Sequence, residues 1–525
     1  METKMKINSF IFRSLNFIKK NKVYSLILIL ILIVGAFLRL YKISEYMTFL
    51  GDEGRDALVV KRLLLDHDLV FVGPGTSVGN MYLGPFYYYF MAPFLFLFRF
   101  DPTGPAVGVA LLGVLTIFFV WYLAYRWFGR RASLVVALLY AFSPVVIIFS
   151  RHSWNPNIMP FFSLLVIYST FKFWYEEKYS YIVLASLSFA ICLQSHYLAL
   201  VLLPFIGIFL LLSFIKSKKA GKQKEFLKNF LISVVIFLLL MSPLVIFDAK
   251  YNWRNFMAMK DFFFERSDFI SNSFISPFLR FFTIWNLVFT RLLASKNILF
   301  GKIVAFLLFS LSFLQVIFYL KRRVYSKKVV AFFFVLSWVL VSVFVLSVYK
   351  EQIYDHYFGF LFPAPFLLLS FFLEELVTFK RYGKFLFVPL ILLFLFFSFV
   401  NSPLRDNPSR QLQRTIDVSK KIAEEAKGQR FNLAVIAERN YEGAYLYFLE
   451  LWKEPVVIID PQRASETITD QLFVVCEYED KTKCQPVSNP KAEVANFGWS
   501  KIDASFNVDG LIVFRLVHNP SGKPE

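Results

Sequence analysis

The chain reads as an α-helical integral membrane protein closed by a small α/β domain, and three observations predict that class. Apolar runs of about 18 residues or more, enough to cross a bilayer, recur as far as about position 400. Lys and Arg gather in the connections between those runs, and one assignment of sides puts every basic connection in the cytoplasm. From about Leu404 the apolar density falls and short strand-like runs begin. With 57% hydrophobic residues and 67 Phe among 525, the sequence excludes a water-soluble globule. The net charge of +20 lies between apolar runs rather than in one patch, so topology explains it better than nucleic acid does.

The first run, Tyr24 to Leu40, follows an arm carrying Lys4, Lys6, Arg13, Lys19, Lys20 and Lys22, which holds the N-terminus in the cytoplasm. No small-residue cleavage site follows it, so it is expected to stay as an anchor. Spans are expected at about 23 to 41, 106 to 128, 132 to 149, 156 to 174, 179 to 195, 197 to 214, 229 to 247, 298 to 320, 329 to 349, 357 to 376 and 384 to 400, about eleven in all, or thirteen if two further runs also cross. Those two, 81 to 100 and 276 to 294, are expected to lie in the interface. If 81 to 100 crossed, the Lys-rich segment from Ile215 to Asn229 would face outward, against the strongest charge signal in the chain. Gly84, Pro85, Pro93 and the Tyr cluster also suit a broken interfacial helix.

The domains expected are therefore a membrane-embedded unit over 1–403, with a first outer loop over 42–105, and an extracytoplasmic α/β domain over 404–525. In the latter a helical segment from Arg410 to Ala426 precedes the strand-like runs NLAVIAE, EPVVIID, QLFVVCEY and GLIVFRLV. It carries no Gly-rich phosphate loop and no nucleophile elbow, and no chemistry is expected of it. Three cysteines are too few for a disulfide scaffold or zinc site; Cys476 and Cys484 could pair if the tail lies in an oxidising compartment.

The outer face receives the chemistry-bearing residues. The stretch GDEGRDA, Gly51 to Ala57, sets Asp52 and Glu53 just past the first span, where a carboxylate can act as general base and a neighbour can contact the acceptor. Arg55, Arg151, His152, His196, Lys350 and His356 are the candidate ligands for a phosphate held at the bilayer surface. Each has a plainer alternative: Arg151 and His152 snorkelling at a span end, His196 satisfied between helices, Lys350 with Glu351 as a solvated pair. The aromatic run Phe86 to Phe90 reads as an interfacial belt rather than a sugar platform. A metal on Asp52 and Glu53 would need further oxygens, from Asp56 or Asp355, and is not favoured.

Taken with LGPFYYYFMAPFLFLF, GRRASLVVALLYAFSP, SRHSWNPN and QSHYLALVLLP, the GDEGRDA stretch resembles the lipid-phosphate-dependent glycosyltransferases of the GT-C class. Within that class it is similar to glycosyltransferase family 39, with the protein O-mannosyltransferases and the aminoarabinose transferases acting on lipid A. The resemblance spans about residues 23 to 400. It implies a GT-C fold in the plasma membrane, an inverting transfer from a polyprenyl-phosphate sugar to an acceptor hydroxyl, Asp52 as base and Glu53 as an acceptor-side contact. It implies no cofactor beyond the lipid-linked donor, and a glycan, lipid or protein acceptor. Asn155 and Asn157 stand where relatives carry an acid after Ser-Arg, and His196 stands where relatives carry Lys. A transporter or flippase for the same lipids, an O-antigen ligase or polymerase, and a membrane scaffold are the competing readings. A transporter would show inverted repeats and charges deep within helices, whereas here the charges gather at the outer rim.

Overall fold

The computed structural model describes residues 18–76, 79, 81–261, 275–349 and 352–521. Lys350 and the start of the N-terminal basic arm lie outside the described residues. The membrane unit is built from α1 (Lys22–Leu40), α2 (Gly51–Leu65), α3 (Phe86–Leu97), α4 (Thr103–Trp127), α5 (Arg130–Phe142), α6 (Met159–Tyr175), α7 (Tyr181–Ser195), α8 (Leu202–Lys219), α9 (Gln223–Lys250), α10 (Ile275–Leu292), α11 (Ile298–Arg322), α12 (Lys327–Val348), α13 (Pro363–Thr378) and α14 (Lys380–Val400). Among the described residues, eight helical segments are long and apolar enough to cross a membrane. A ninth is counted if Asp355–Leu361 and α13, bent by 53° at their junction, form one span.

The other two expected spans fall short of that length for local reasons. The segment 132 to 149 is broken, because Ser143 is extended ahead of Pro144 and a separate short helix, Pro144–Phe149, follows. Proline cannot donate to the preceding turn and disfavours a helical residue before it. The segment 179 to 195 is the 15-residue α7, ended by the extended backbone of His196. The 12-residue α3, with Pro93 inside, buries Tyr87, Tyr88, Met91 and Leu95 on one side.

The outward faces of the long helices are large and apolar: Leu26, Ile29, Leu30 and Ile33 on α1, Phe306, Phe313 and Leu320 on α11, Phe385, Phe396 and Phe399 on α14 are all exposed. Apolar surface on this scale is what acyl chains cover. Inside, rings interlock: Trp174 stacks on Phe334 with centroids 5.7 Å apart, and Phe334 meets Phe171 and Phe209 at 5.2 and 4.9 Å. At the C-terminal end of α1, Arg39 is fully buried and donates to the carbonyls of Gly35 and Ala141, tying α1 to α5.

The C-terminal domain opens with α15 (Gln411–Ala426), whose Leu412, Val418 and Ile422 are buried along one side, and contains α16 (Gly443–Leu451). Its strands β1 (Asn432–Ile436), β2 (Gln471–Cys476), β3 (Ser500–Val508) and β4 (Leu511–His518) form one sheet in the order β1-β2-β4-β3. The first pair is parallel and the other two are antiparallel. Two expectations change here. EPVVIID does not form a strand and keeps a single bridge, Phe431 to Val456, beside a proline that has no N–H to give. SKIDASFNV, too polar to stand out, is the edge strand β3, joined to β4 by Asp509 and Gly510, both at positive φ. Cys476 and Cys484 are joined in a disulfide, Cα to Cα 5.8 Å.

Candidate active site

The chain enters α2 at Gly51, so Asp52 occupies the first helical turn, where the helix dipole favours a carboxylate. Its Oδ1 accepts two hydrogen bonds, one from Arg55 Nη1 at 3.0 Å and one from Tyr441 Oη at 2.8 Å. Arg55 then reaches the fully buried Asp56 with Nε and Nη2 at 3.0 and 2.8 Å, and Tyr88 donates to the same Asp56 oxygen. Burial works against the Arg55 charge, but Asp56, Tyr441, Tyr88 and Asp52 outweigh it and raise its pKa. Burial raises Asp56 to about 6 in spite of Arg55.

Glu53 points elsewhere. Adjacent helical positions diverge by about 100°, and the Glu53 side chain is buried, its Oε2 accepting from Leu50 N at 3.0 Å. Burial lifts its pKa to about 7, with Asp52 adding to the rise. It is not among the residues lining the cavity described next.

Asp52 and Arg55 form part of the wall of a cavity of about 830 Å³. Leu198, Leu200 and Val201 after α7, with Val345, Leu346 and Val348 of α12, give one apolar side. Trp154, His196, Tyr354, His356 and Tyr357 give an aromatic side, with the Trp154 and His356 rings 4.6 Å apart. Arg439, from the loop between β1 and α16, completes the rim.

Of the candidate phosphate ligands, Arg55, His196 and His356 reach this cavity, and Arg151 and His152 do not. Arg151 is buried, with Nη1 and Nη2 donating to the carbonyls of Leu38 and Tyr41 at the end of α1, so it braces a helix end rather than snorkelling. His152 Nδ1 lies 3.2 Å from the Ile148 carbonyl, and burial lowers its pKa to about 4. His196 Nδ1 accepts from Leu198 N at 3.1 Å, and burial, with His356 beside it, lowers its pKa to about 3. Both effects favour the uncharged ring, away from the titrating cation that replacing Lys with His suggests. Asn155 and Asn157 serve as braces, donating to the carbonyls of Ser195 and His152.

The further metal ligands considered from sequence are otherwise engaged: Asp56 with Arg55, and Asp355 with Arg291 at 2.7 Å. Among the described residues no group of three or more His, Cys, Asp or Glu is placed to hold a metal ion.

The C-terminal domain, expected to be chemically silent, contributes to this site. Asn440 Oδ1 accepts from Gly51 N at 2.7 Å and from Tyr441 N at 2.9 Å, while its Nδ2 donates to Glu477 Oε1 at 2.7 Å. Behind this loop α16 lies directly on α2. A Cβ on Gly54 would stand 2.2 Å from the Ala444 Cα, and one on Gly443 would stand 2.3 Å from the Gly51 carbonyl oxygen. Arg62 with Glu450 adds an ion pair further along.

The cavity is thus walled jointly by the acidic stretch of α2, by membrane helices and by a loop of the C-terminal domain. Residues 83–247 match the family model described as dolichyl-phosphate-mannose-protein mannosyltransferase. The structure is similar to ArnT from Cupriavidus metallidurans bound to undecaprenyl phosphate: TM-score 0.58, 13% identity, 96% of this chain and 100% of that one covered. The apo state of that protein gives the same TM-score and identity, over 94% and 98%. The Archaeoglobus fulgidus oligosaccharyltransferase in complex with Zn and sulfate is similar at TM-score 0.51 and 12% identity, over 93% of this chain and 72% of that one. No curated protein matches the sequence.

Proposed function

We propose that this glycosyltransferase moves a sugar from a polyprenyl-phosphate donor to an acceptor hydroxyl on the extracytoplasmic face, with inversion and with Asp52 as the base. The observation that carries this is the placing of Asp52 in the wall of a cavity that continues along apolar residues of α12. A polyprenyl tail needs such an apolar path, and its phosphate needs donors where that path ends. Arg439 and Arg55 supply charge there; neutral His196 and His356 offer N–H groups instead. The family model matched over 83–247 and the likeness to a fold seen with undecaprenyl phosphate bound support the same donor class.

In this reaction the acceptor hydroxyl gives its proton to Asp52 while its oxygen attacks the anomeric carbon. The bond from that carbon to the phosphate oxygen breaks on the opposite side, and polyprenyl phosphate leaves with the electron pair. A phosphate ester is already a good leaving group, so no general acid is required. The sidedness rests on the basic connections, which include Arg130, Arg131, Lys216 and Lys327, lying at the ends of the helices away from the cavity. The Cys476–Cys484 disulfide suits an oxidising compartment for the C-terminal domain.

The test is release of polyprenyl phosphate from a panel of polyprenyl-phosphate sugars by the purified protein in lipid nanodiscs. Asp52→Asn is expected to lower turnover by about 10²–10⁴-fold, the usual contribution of a positioned base, with donor binding kept. Donor binding without turnover in wild type, in the presence of acceptor-rich membrane extract, would instead favour a lipid transporter.

A further inference from the structure

We propose that Tyr441, delivered by the C-terminal domain, is a positioning residue that orients the Asp52 carboxylate for proton transfer. The proposal rests on Asp52 acting as the base. It assigns a role in the reaction centre to a domain that lies 389 residues further along the chain.

Three features of the contact support it. First, both strong donors to Asp52, Tyr441 Oη and Arg55 Nη1, address the same oxygen, Oδ1. Among the described residues Oδ2 accepts no hydrogen bond from the protein, so one oxygen is held and the other is left to accept a proton. A base must sit within hydrogen-bond reach of the proton it removes, and fixing its carboxylate plane narrows the orientations available.

Second, Arg55 cannot do this alone, because its fork is shared with buried Asp56, which takes both Nε and Nη2. The single remaining Nη1 contact leaves the Asp52 carboxylate free to turn about that bond. Tyr441 approaches from the other domain and supplies the second point.

Third, Tyr441 is itself held from both sides. Its ring packs over Gly51, where a Cβ would stand 2.4 Å from Tyr441 Cδ1. Its backbone N–H is fixed by Asn440, which also binds Gly51 N and Glu477. Tyr445 donates to the same Glu477 oxygen. A surface tyrosine lying against an acid by chance would not need a buttress of this kind. Burial, together with Asp52 itself, raises the Tyr441 hydroxyl well above its ordinary pKa, so it remains a donor throughout the working pH range.

The experiment is Tyr441→Phe in the full-length protein in nanodiscs, assayed for polyprenyl phosphate release beside Asp52→Asn. Phe keeps the ring over Gly51 and removes only the hydroxyl. The charged and titratable groups around the site are Asp52, Arg55, His196, His356 and Arg439, with Glu53 and Asp56 buried behind. Loss of one donor from a carboxylate favours its protonated form. The expected result is a fall in kcat of about tenfold, a donor KM within about twofold of wild type, and an acid limb of the kcat profile displaced to higher pH. The position of that limb does not depend on what fraction of the variant is folded, so partial misfolding cannot imitate it. A Phe variant whose acid limb coincides with wild type overturns the positioning role, whether or not its rate falls. Turnover that persists in Asp52→Asn overturns the base assignment and this proposal with it, whereas an inactive Asp52→Asn beside an unshifted Phe variant overturns this proposal alone.

Discussion

At the scale of single residues, neighbours on α2 do opposite things. Asp52 faces the cavity while Glu53, one step along, is buried with a pKa of about 7 in place of the ordinary 4.5. Between those two values the native protein holds a proton that the unfolded chain has released. Stability is therefore fully present below about pH 4.5 and declines as pH rises through 7. Melting temperature in detergent is expected to fall between pH 5 and pH 8, with Glu53 contributing on the order of 1–3 kcal/mol. Glu53→Gln keeps an oxygen for Leu50 N and has no proton to lose, so it should flatten the decline; an unchanged slope would assign the effect to Asp56 instead. Sequence made Asp52 and Arg55 legible, since both sit in an acidic stretch just beyond a span. It could not separate Arg151 and His152 from true cavity residues, because a polar run at a helix end does not reveal whether its side chains meet a cavity or a backbone carbonyl. Arg439 and Tyr441 carried no local signal beyond a polar loop ahead of the small pair Gly443–Ala444, which does hint at close helix contact.

At the scale of elements, that close contact fixes the register between the two domains. The backbones of α2 and α16 approach so nearly at Gly54 and Ala444 that any side chain on Gly54 must push them apart. Gly54→Leu should cost about 1–3 kcal/mol of docking free energy, the usual scale of overpacking. It should leave the membrane helices intact while lowering turnover at least tenfold by withdrawing Tyr441 from Asp52. Limited proteolysis in the 402–410 linker, faster in the variant than in wild type, would show the domain released; equal cleavage and equal turnover would show that the helices slide without separating. The same scale explains where the sequence misled about secondary structure. Pro144 divides a run whose hydropathy looks continuous, Pro455 disqualifies an apolar run as a strand, and β3 hides because an edge strand has few buried positions to reveal its period.

For the whole molecule, the class of fold was visible in the alternation of apolar runs and basic connections, a pattern imposed by the bilayer rather than by any contact. That pattern makes a firm forecast of sidedness: a reporter fused at Lys219 is expected to give a cytoplasmic signal and one after His518 an extracytoplasmic signal, and the reverse at Lys219 would overturn the topology. Span count was less legible, because Pro144 and the extended backbone at His196 end helices inside runs whose hydropathy looks long enough to cross.

The pairing of Asp52 with Tyr441 also carries a consequence for how the enzyme is made. Ribosomes release the first carboxylate early and its partner near the end, so nascent chains occupy the bilayer for most of their synthesis with an unfinished reaction centre. On the proposed reading, a chain terminated before Tyr441 would carry Asp52 with Arg55 as its sole partner, a base present but poorly aimed.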